Sequence, residues 1–142
     1  MDLTYYYPHL TALTFLAGVC TTRIADKKAF LVRVIGVLLV ALFLAHVNRL
    51  FHIWPRHLYF ASGHMTFSLS MALALGLLRP WTLWVTLPLL VPFGFDLVLL
   101  RFHKPEDVIG AVLLVVAIFG LANRYWGLER LAAPLDTEKV SS

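Results

Sequence analysis

The sequence predicts an all-α fold, a polytopic membrane helix bundle with about five transmembrane helices. Three observations lead there. Of the 142 residues, 60% are hydrophobic and only 14% are charged, and the mean hydropathy is +0.79, well outside the range of soluble globular chains. The apolar residues gather into runs long enough to cross a bilayer. The charged residues fall mostly in the gaps between those runs.

The chain reads as one membrane domain over 1–142. A first, short span covers about 8–24, with Tyr5-Tyr6-Tyr7 as an interfacial anchor. The residues before it contain no Lys or Arg, and Leu16-Ala17-Gly18-Val19 lacks the small residue expected just before a lipidated Cys20. This favours a span over a signal peptide. The second span runs about 29–48 and the third about 62–79. The fourth, about 81–101, carries Pro88, Pro92, Gly94 and Asp96. Its prolines are expected to kink it and free backbone carbonyls. The fifth covers about 105–126 and closes on Tyr125-Trp126, and 127–142 reads as a polar, frayed tail.

The net charge of +4 does not point to nucleic acid, because the basic residues flank spans, where they set topology. A single cysteine, Cys20, excludes an intrachain disulfide and a cysteine-based zinc site. Arg23, Lys27, Lys28, Arg33, Arg79, Arg124, Arg130 and Lys139 fall on one side, against Arg49, Arg56, Arg101 and Lys104 on the other. The positive-inside rule puts the larger group in the cytoplasm. The N-terminus and the two loops 49–61 and 101–105 are then outside, where those loops can meet.

The chemistry concentrates in Arg101-Phe102-His103-Lys104-Pro105-Glu106-Asp107-Val108. His103 and Asp107 are four residues apart, on one face of a helix's first turn, where the carboxylate can hold the imidazole and support its positive charge. Pro105 suits the first helical position. Ser62-Gly63-His64 opens the third span with a capping serine, a glycine that admits a ligand to the backbone, and a second histidine. Alone, each group has a plain structural reading: a capped helix start, arginines on lipid headgroups, a snorkelling Arg101. Asp96 fits an interhelical hydrogen bond as well as a place in the cleft. Together, three arginines, a helix N-terminus and two histidines suit a phosphate group. Neutral imidazole would attack it, and the second imidazole would protonate the leaving oxygen without a metal.

These residues resemble the motifs of the type 2 phosphatidic-acid phosphatase superfamily of membrane lipid phosphatases, which includes sphingomyelin-synthase-like phosphotransferases. The superfamily's first motif, Lys, six residues and Arg-Pro, is matched in spacing by Arg49 through Arg56-His57. Its Pro-Ser-Gly-His is matched by Ala61-Ser62-Gly63-His64. Its third motif ends in His, three residues and Asp, matched by His103 and Asp107, followed by Val108 and Gly110. The Ser-Arg that opens that motif falls on Asp96-Leu97 here, and Arg101 is expected to replace the missing phosphate ligand. The phosphotransferase branch has a shorter third motif, His-Tyr-Thr-x-Asp-Val, which residues 101–108 also echo.

The resemblance covers about 49–120, and family members have six spans where five are counted here. It implies His103 as the nucleophile, Asp107 as its orienting partner and His64 as the general acid. Arg49, Arg56, Arg101, Ser62 and Gly63 would hold the phosphate, with Asp96 and His57 in or near the cleft. It implies no cofactor and no metal, a lipid phosphate or diphosphate as substrate, and a site on the outer, periplasmic face of a bacterial inner membrane. Leu97→Arg is then expected to be tolerated or to improve monoester hydrolysis. The other readings are a headgroup phosphotransferase, an inactive lipid-binding member, and a haem or metal protein using His46, His64 and His103. The topology makes its own prediction: a reporter fused after Ser142 reads cytoplasmic, and a periplasmic readout overturns the charge count.

Overall fold

Inside a bilayer an open chain satisfies its own backbone only as a helix, so each apolar run has one local solution. The computed structural model describes residues 3–24, 26–51 and 61–133, and no strand occurs among them. The helices are α1 (Leu3–Thr21), α2 (Lys27–Phe51), α3 (Gly63–Leu78), α4 (Leu83–Leu99), α5 (Pro105–Trp126) and α6 (Leu128–Ala132). A 3-10 turn at Pro80–Thr82 leads into α4. The all-α bundle is thus present, with a long helix at each of the five expected places.

Among the described residues three stretches are long and apolar enough to cross a membrane: Lys27–Val47, Pro80–Leu99 and Pro105–Trp126. Gly63–Leu78 is apolar but shorter. The 19-residue α1 is not among the three, and its first half holds three tyrosines, Pro8 and His9.

The core is built around α3, which packs against α1, α2, α4 and α5. Most of its residues are buried, including Thr66, Ser68, Ser70, Ala72, Ala74 and Gly76. Small side chains at alternate positions wrap around a helix rather than forming one stripe, so neighbours can approach from several sides. Bulk is supplied by those neighbours, with Phe30 and Val34 on α2, Phe93 and Leu97 on α4, and Val115 on α5 fully buried. The outer surface carries Leu39, Phe43, Trp84, Phe95, Leu113 and Val116, all well exposed. Hydroxyls and a carboxylate inside, with large apolar groups outside, suit lipid as the surrounding solvent.

Several sequence expectations are corrected. Tyr7 does not anchor at an interface; it lies in α1, buried, stacked on Phe93 at 4.8 Å and donating to the Thr86 carbonyl at 2.9 Å. Packing against α4 offers its ring and hydroxyl partners that an interface would not. Arg49 lies in the last turn of α2 rather than in a loop. Pro88 and Pro92 do lie inside α4, as the fourth span was read, and the helix continues past both. The start of the tail is ordered, because Gly127 takes a left-handed conformation (φ 60°) and α6 turns back to bury Leu128 and Ala132. At that end of the bundle, Arg79 Nε donates to Thr22 Oγ1 at 3.2 Å and its Nη2 to Thr21 Oγ1 at 2.9 Å, fastening α3 to α1.

Helix α3 meets the start of α4 at Gly76, where an added Cβ would lie 2.5–2.9 Å from three side-chain carbons of Leu83. Gly76→Ala should therefore cost about 1–3 kcal/mol through overpacking. Thermal unfolding in detergent checks this, with Leu83→Ala expected to restore much of the loss in the double variant.

Candidate functional site

The site forms where α3 and α5 begin. Ser62 caps α3: its Oγ accepts the Met65 N–H at 3.3 Å and its carbonyl the Thr66 N–H at 2.8 Å. The N–H groups of Gly63 and His64 then remain for a ligand, at the positive end of the helix dipole. The Ser62 N–H donates to the Asp107 main-chain carbonyl at 2.9 Å, which ties this start to the first turn of α5. Gly110, one turn further along α5, makes the approach possible: a Cβ there would stand 3.4 Å from the Ala61 nitrogen. Gly94 likewise admits α4, since its Cβ would meet Val108 Cγ1 at 3.3 Å.

The loop before α5 is set by the end of α4. Phe102 N–H donates to the Leu97 carbonyl at 3.1 Å and Arg101 N–H to that of Val98 at 3.0 Å, the two bonds of a Schellman cap. Such a cap needs a left-handed residue after the last turn, and that residue is Arg101, at φ 58°. The His103 N–H also donates to the Leu97 carbonyl, at 3.0 Å, which fixes the histidine's backbone. Lys104 then opens α5, and its N–H donates to Asp107 Oδ2 at 3.0 Å.

These contacts bring together five of the expected residues: His103, Asp107, His64, Ser62 and Gly63. The His64 and His103 rings lie edge to face with centroids 6.1 Å apart. His103 Nδ1 is 3.7 Å from Asp107 Oδ2, an electrostatic contact beyond hydrogen-bond length. Asp107 is almost fully buried, and its Oδ1 makes no hydrogen bond among the described residues. A buried carboxylate oxygen left so is costly, and a positive charge on the imidazole would offset that cost. The first-turn position helps as well, since the α5 N-terminus favours an anion there.

The other expected residues stand differently. Arg101 is exposed in its turn. Asp96 is half-buried in the last turns of α4, and its carboxylate makes no hydrogen bond among the described residues, so the interhelical bond is not seen there. Arg49 has a helical backbone, and Arg56 and His57 lie outside the described residues. Leu97 is fully buried, so Leu97→Arg would put a charge into the core, and the expected tolerance is corrected to destabilisation.

One residue was placed at the site by sequence reasoning only for another chemistry. His46 on α2 lies over Gly63, whose Cβ would meet the ring Cε1 at 2.9 Å and Nε2 at 3.3 Å. Its Nδ1 lies 2.8 Å from the Leu42 carbonyl, as an N–H donor would, which turns Nε2 toward the start of α3. Its spacing of three residues before Arg49 was the available signal. Among the described residues no three His, Cys, Asp or Glu side chains converge as a metal site.

Ala61 and Arg101 are the non-glycine residues with positive φ among the described residues, at 66° and 58°, and both border the site. Proline cannot adopt φ 66°, so the proline of the resembled motif is incompatible with this backbone at position 61. Arg101→Gly should raise stability by about 1 kcal/mol by relieving a left-handed arginine. Thermal unfolding in detergent measures it, and a loss of stability would show that the arginine side chain anchors the turn. Compared with protein-family models, curated proteins and solved structures, the chain matches none of them.

Proposed function

We propose that this membrane protein is a lipid phosphatase, hydrolysing a phosphate or diphosphate lipid headgroup through a phosphohistidine. The observation that carries the reading is the pairing of two helix starts by the Ser62–Asp107 main-chain bond, with His64 and His103 facing each other 6.1 Å apart. The resemblance of their sequence motifs supports it.

With Nδ1 of His103 turned to Asp107, Nε2 is the nitrogen that attacks phosphorus. The new N–P bond forms as the bond from the terminal phosphorus to its leaving oxygen breaks, the oxygen of the lipid alcohol in a phosphate and of the remaining lipid phosphate in a diphosphate, and His64, protonated, gives that oxygen its proton. Water then attacks the phosphohistidine, losing a proton to His64, and inorganic phosphate leaves with His103 restored. Asp107 supports the charge that appears on His103 while its N–P bond exists. The N–H groups of Gly63 and His64, with Arg101, bind the phosphate oxygens, and Arg49 and Arg56 complete the cradle. The site lies on the outer face of a bacterial inner membrane, as the positive-inside rule orients the chain. A lipid alcohol replacing water in the second step would make the same site a phosphotransferase, and the buried Leu97, where hydrolases of the resembled family keep an arginine, favours that as the second reading.

Phosphate release by detergent-purified protein, with EDTA present, tests this against phosphatidic acid, phosphatidylglycerol phosphate, a prenyl diphosphate and a lipid A analogue. Release should survive EDTA and fall by at least about 10³-fold in His103→Ala and Asp107→Asn, while both variants still insert. Wild-type turnover by His103→Ala would end the phosphohistidine mechanism. Absence of release together with exchange of labelled headgroup would establish the transferase, and absence of both would leave an inactive lipid binder.

A further inference from the structure

At the far end of α5 from His103, about 33 Å along a 22-residue helix, lies a cavity open on one side. It has a volume of about 370 Å³, and Arg33 of α2, Arg124 of α5 and Arg130 of α6 line it together with Asn123, Tyr125 and Trp126. No carboxylate lines it, and none pairs with these arginines among the described residues. Local structure holds its shape. Arg33 donates to the Trp126 carbonyl, and Asn123 Oδ1 accepts the Glu129 N–H at 3.0 Å. The turn at Gly127 lays the stem of Arg130 against it, with Cδ 3.6 Å from where a glycine Cβ would be.

Among the described residues these three guanidinium groups have no counter-ion, so they repel one another around the cavity, and an anion relieves this. Guanidinium forks match phosphate oxygens bidentately. Tyr125 and Trp126 are exposed at the end of a spanning helix, the depth at which aromatic side chains meet headgroups. We infer that this cavity binds the phosphate of an anionic membrane phospholipid, from the leaflet opposite the histidine site. The lipid glycerol and acyl chains would extend along the apolar outer faces of α2 and α5. The site does not depend on the histidine chemistry, and its occupancy would hold α6 against α2 and α5.

The test is Trp126 fluorescence in the full chain with Trp54, Trp81 and Trp84 replaced by Phe, reconstituted in phosphatidylcholine vesicles. Brominated phosphatidylglycerol should quench Trp126 more strongly than brominated phosphatidylcholine at equal content. That preference should persist in about 1 M salt, where screening reaches within about 3 Å and diffuse surface attraction is lost. R124Q/R130Q should reduce it by about fivefold per arginine, with R130Q alone moving it in the same direction. R23Q/K28Q removes two exposed charges outside the cavity and should leave it unchanged. The proposal is overturned by a preference that survives R124Q/R130Q, that R23Q/K28Q abolishes equally, or that disappears in salt. Displacement by inorganic phosphate would overturn the lipid assignment in favour of a free-anion site.

Discussion

The main-chain bond from Ser62 to Asp107 is the constraint on which the rest depends. It sets two helix N-termini side by side at one end of the bundle, so the partial positive charges of both dipoles add in one small region. That region is unfavourable to leave empty of negative charge. Asp107 supplies part of what it needs, from the third residue of α5, while one carboxylate oxygen has no hydrogen bond among the described residues. The bond also fixes the rings, since His64 follows Ser62 by two residues and His103 precedes Asp107 by four. Glycines at 94 and 110 serve it from a distance, by letting α4 and the 61–62 segment close on α5.

The same end carries the backbone strain. A left-handed alanine precedes the cap of α3, and a left-handed arginine closes α4. Glycine would suit either position better on conformational grounds. At position 101 the proposed contact with a phosphate would give the arginine a reason to remain. At position 61 the alanine is buried within the apolar core. Strain beside a cleft is stored by the packing around it, and here that packing is the dense contact of α3 with its neighbours.

Much of this was legible in the sequence. The fifth span was read at about 105–126 and the helix is Pro105–Trp126, because a proline at its first position and a glycine after its last mark both ends. Ser62 was read as a cap and is one. The juxtaposition of Ser-Gly-His with His103 and Asp107 followed from counting spans and placing two loops on one side. Three things were hidden. His46 reaches Gly63 through the rotation of α2 against α3, which depends on which small residues face which neighbour. Tyr7 looked like an interfacial residue because its partners lie about eighty positions away on α4. The fold-back of α6 depends on a left-handed glycine and two buried apolar residues, Leu128 and Ala132, too brief a pattern to stand out beside a polar tail.

The brevity of α3 has a consequence for the end of the bundle away from the histidines. Sixteen residues extend about 24 Å, some 6 Å less than a typical hydrocarbon core. The Ser62–Asp107 bond holds the start of α3 level with the first turn of the 22-residue α5, so the missing length falls at the other end, at Leu78. Arg79, which follows, and the Thr21 and Thr22 hydroxyls it holds then sit deeper than the end of α5. A guanidinium at that depth either stays with its hydroxyl partners or draws water and headgroups inward, thinning one leaflet beside α3. Bilayer thickness is then felt at this arginine rather than at the histidines.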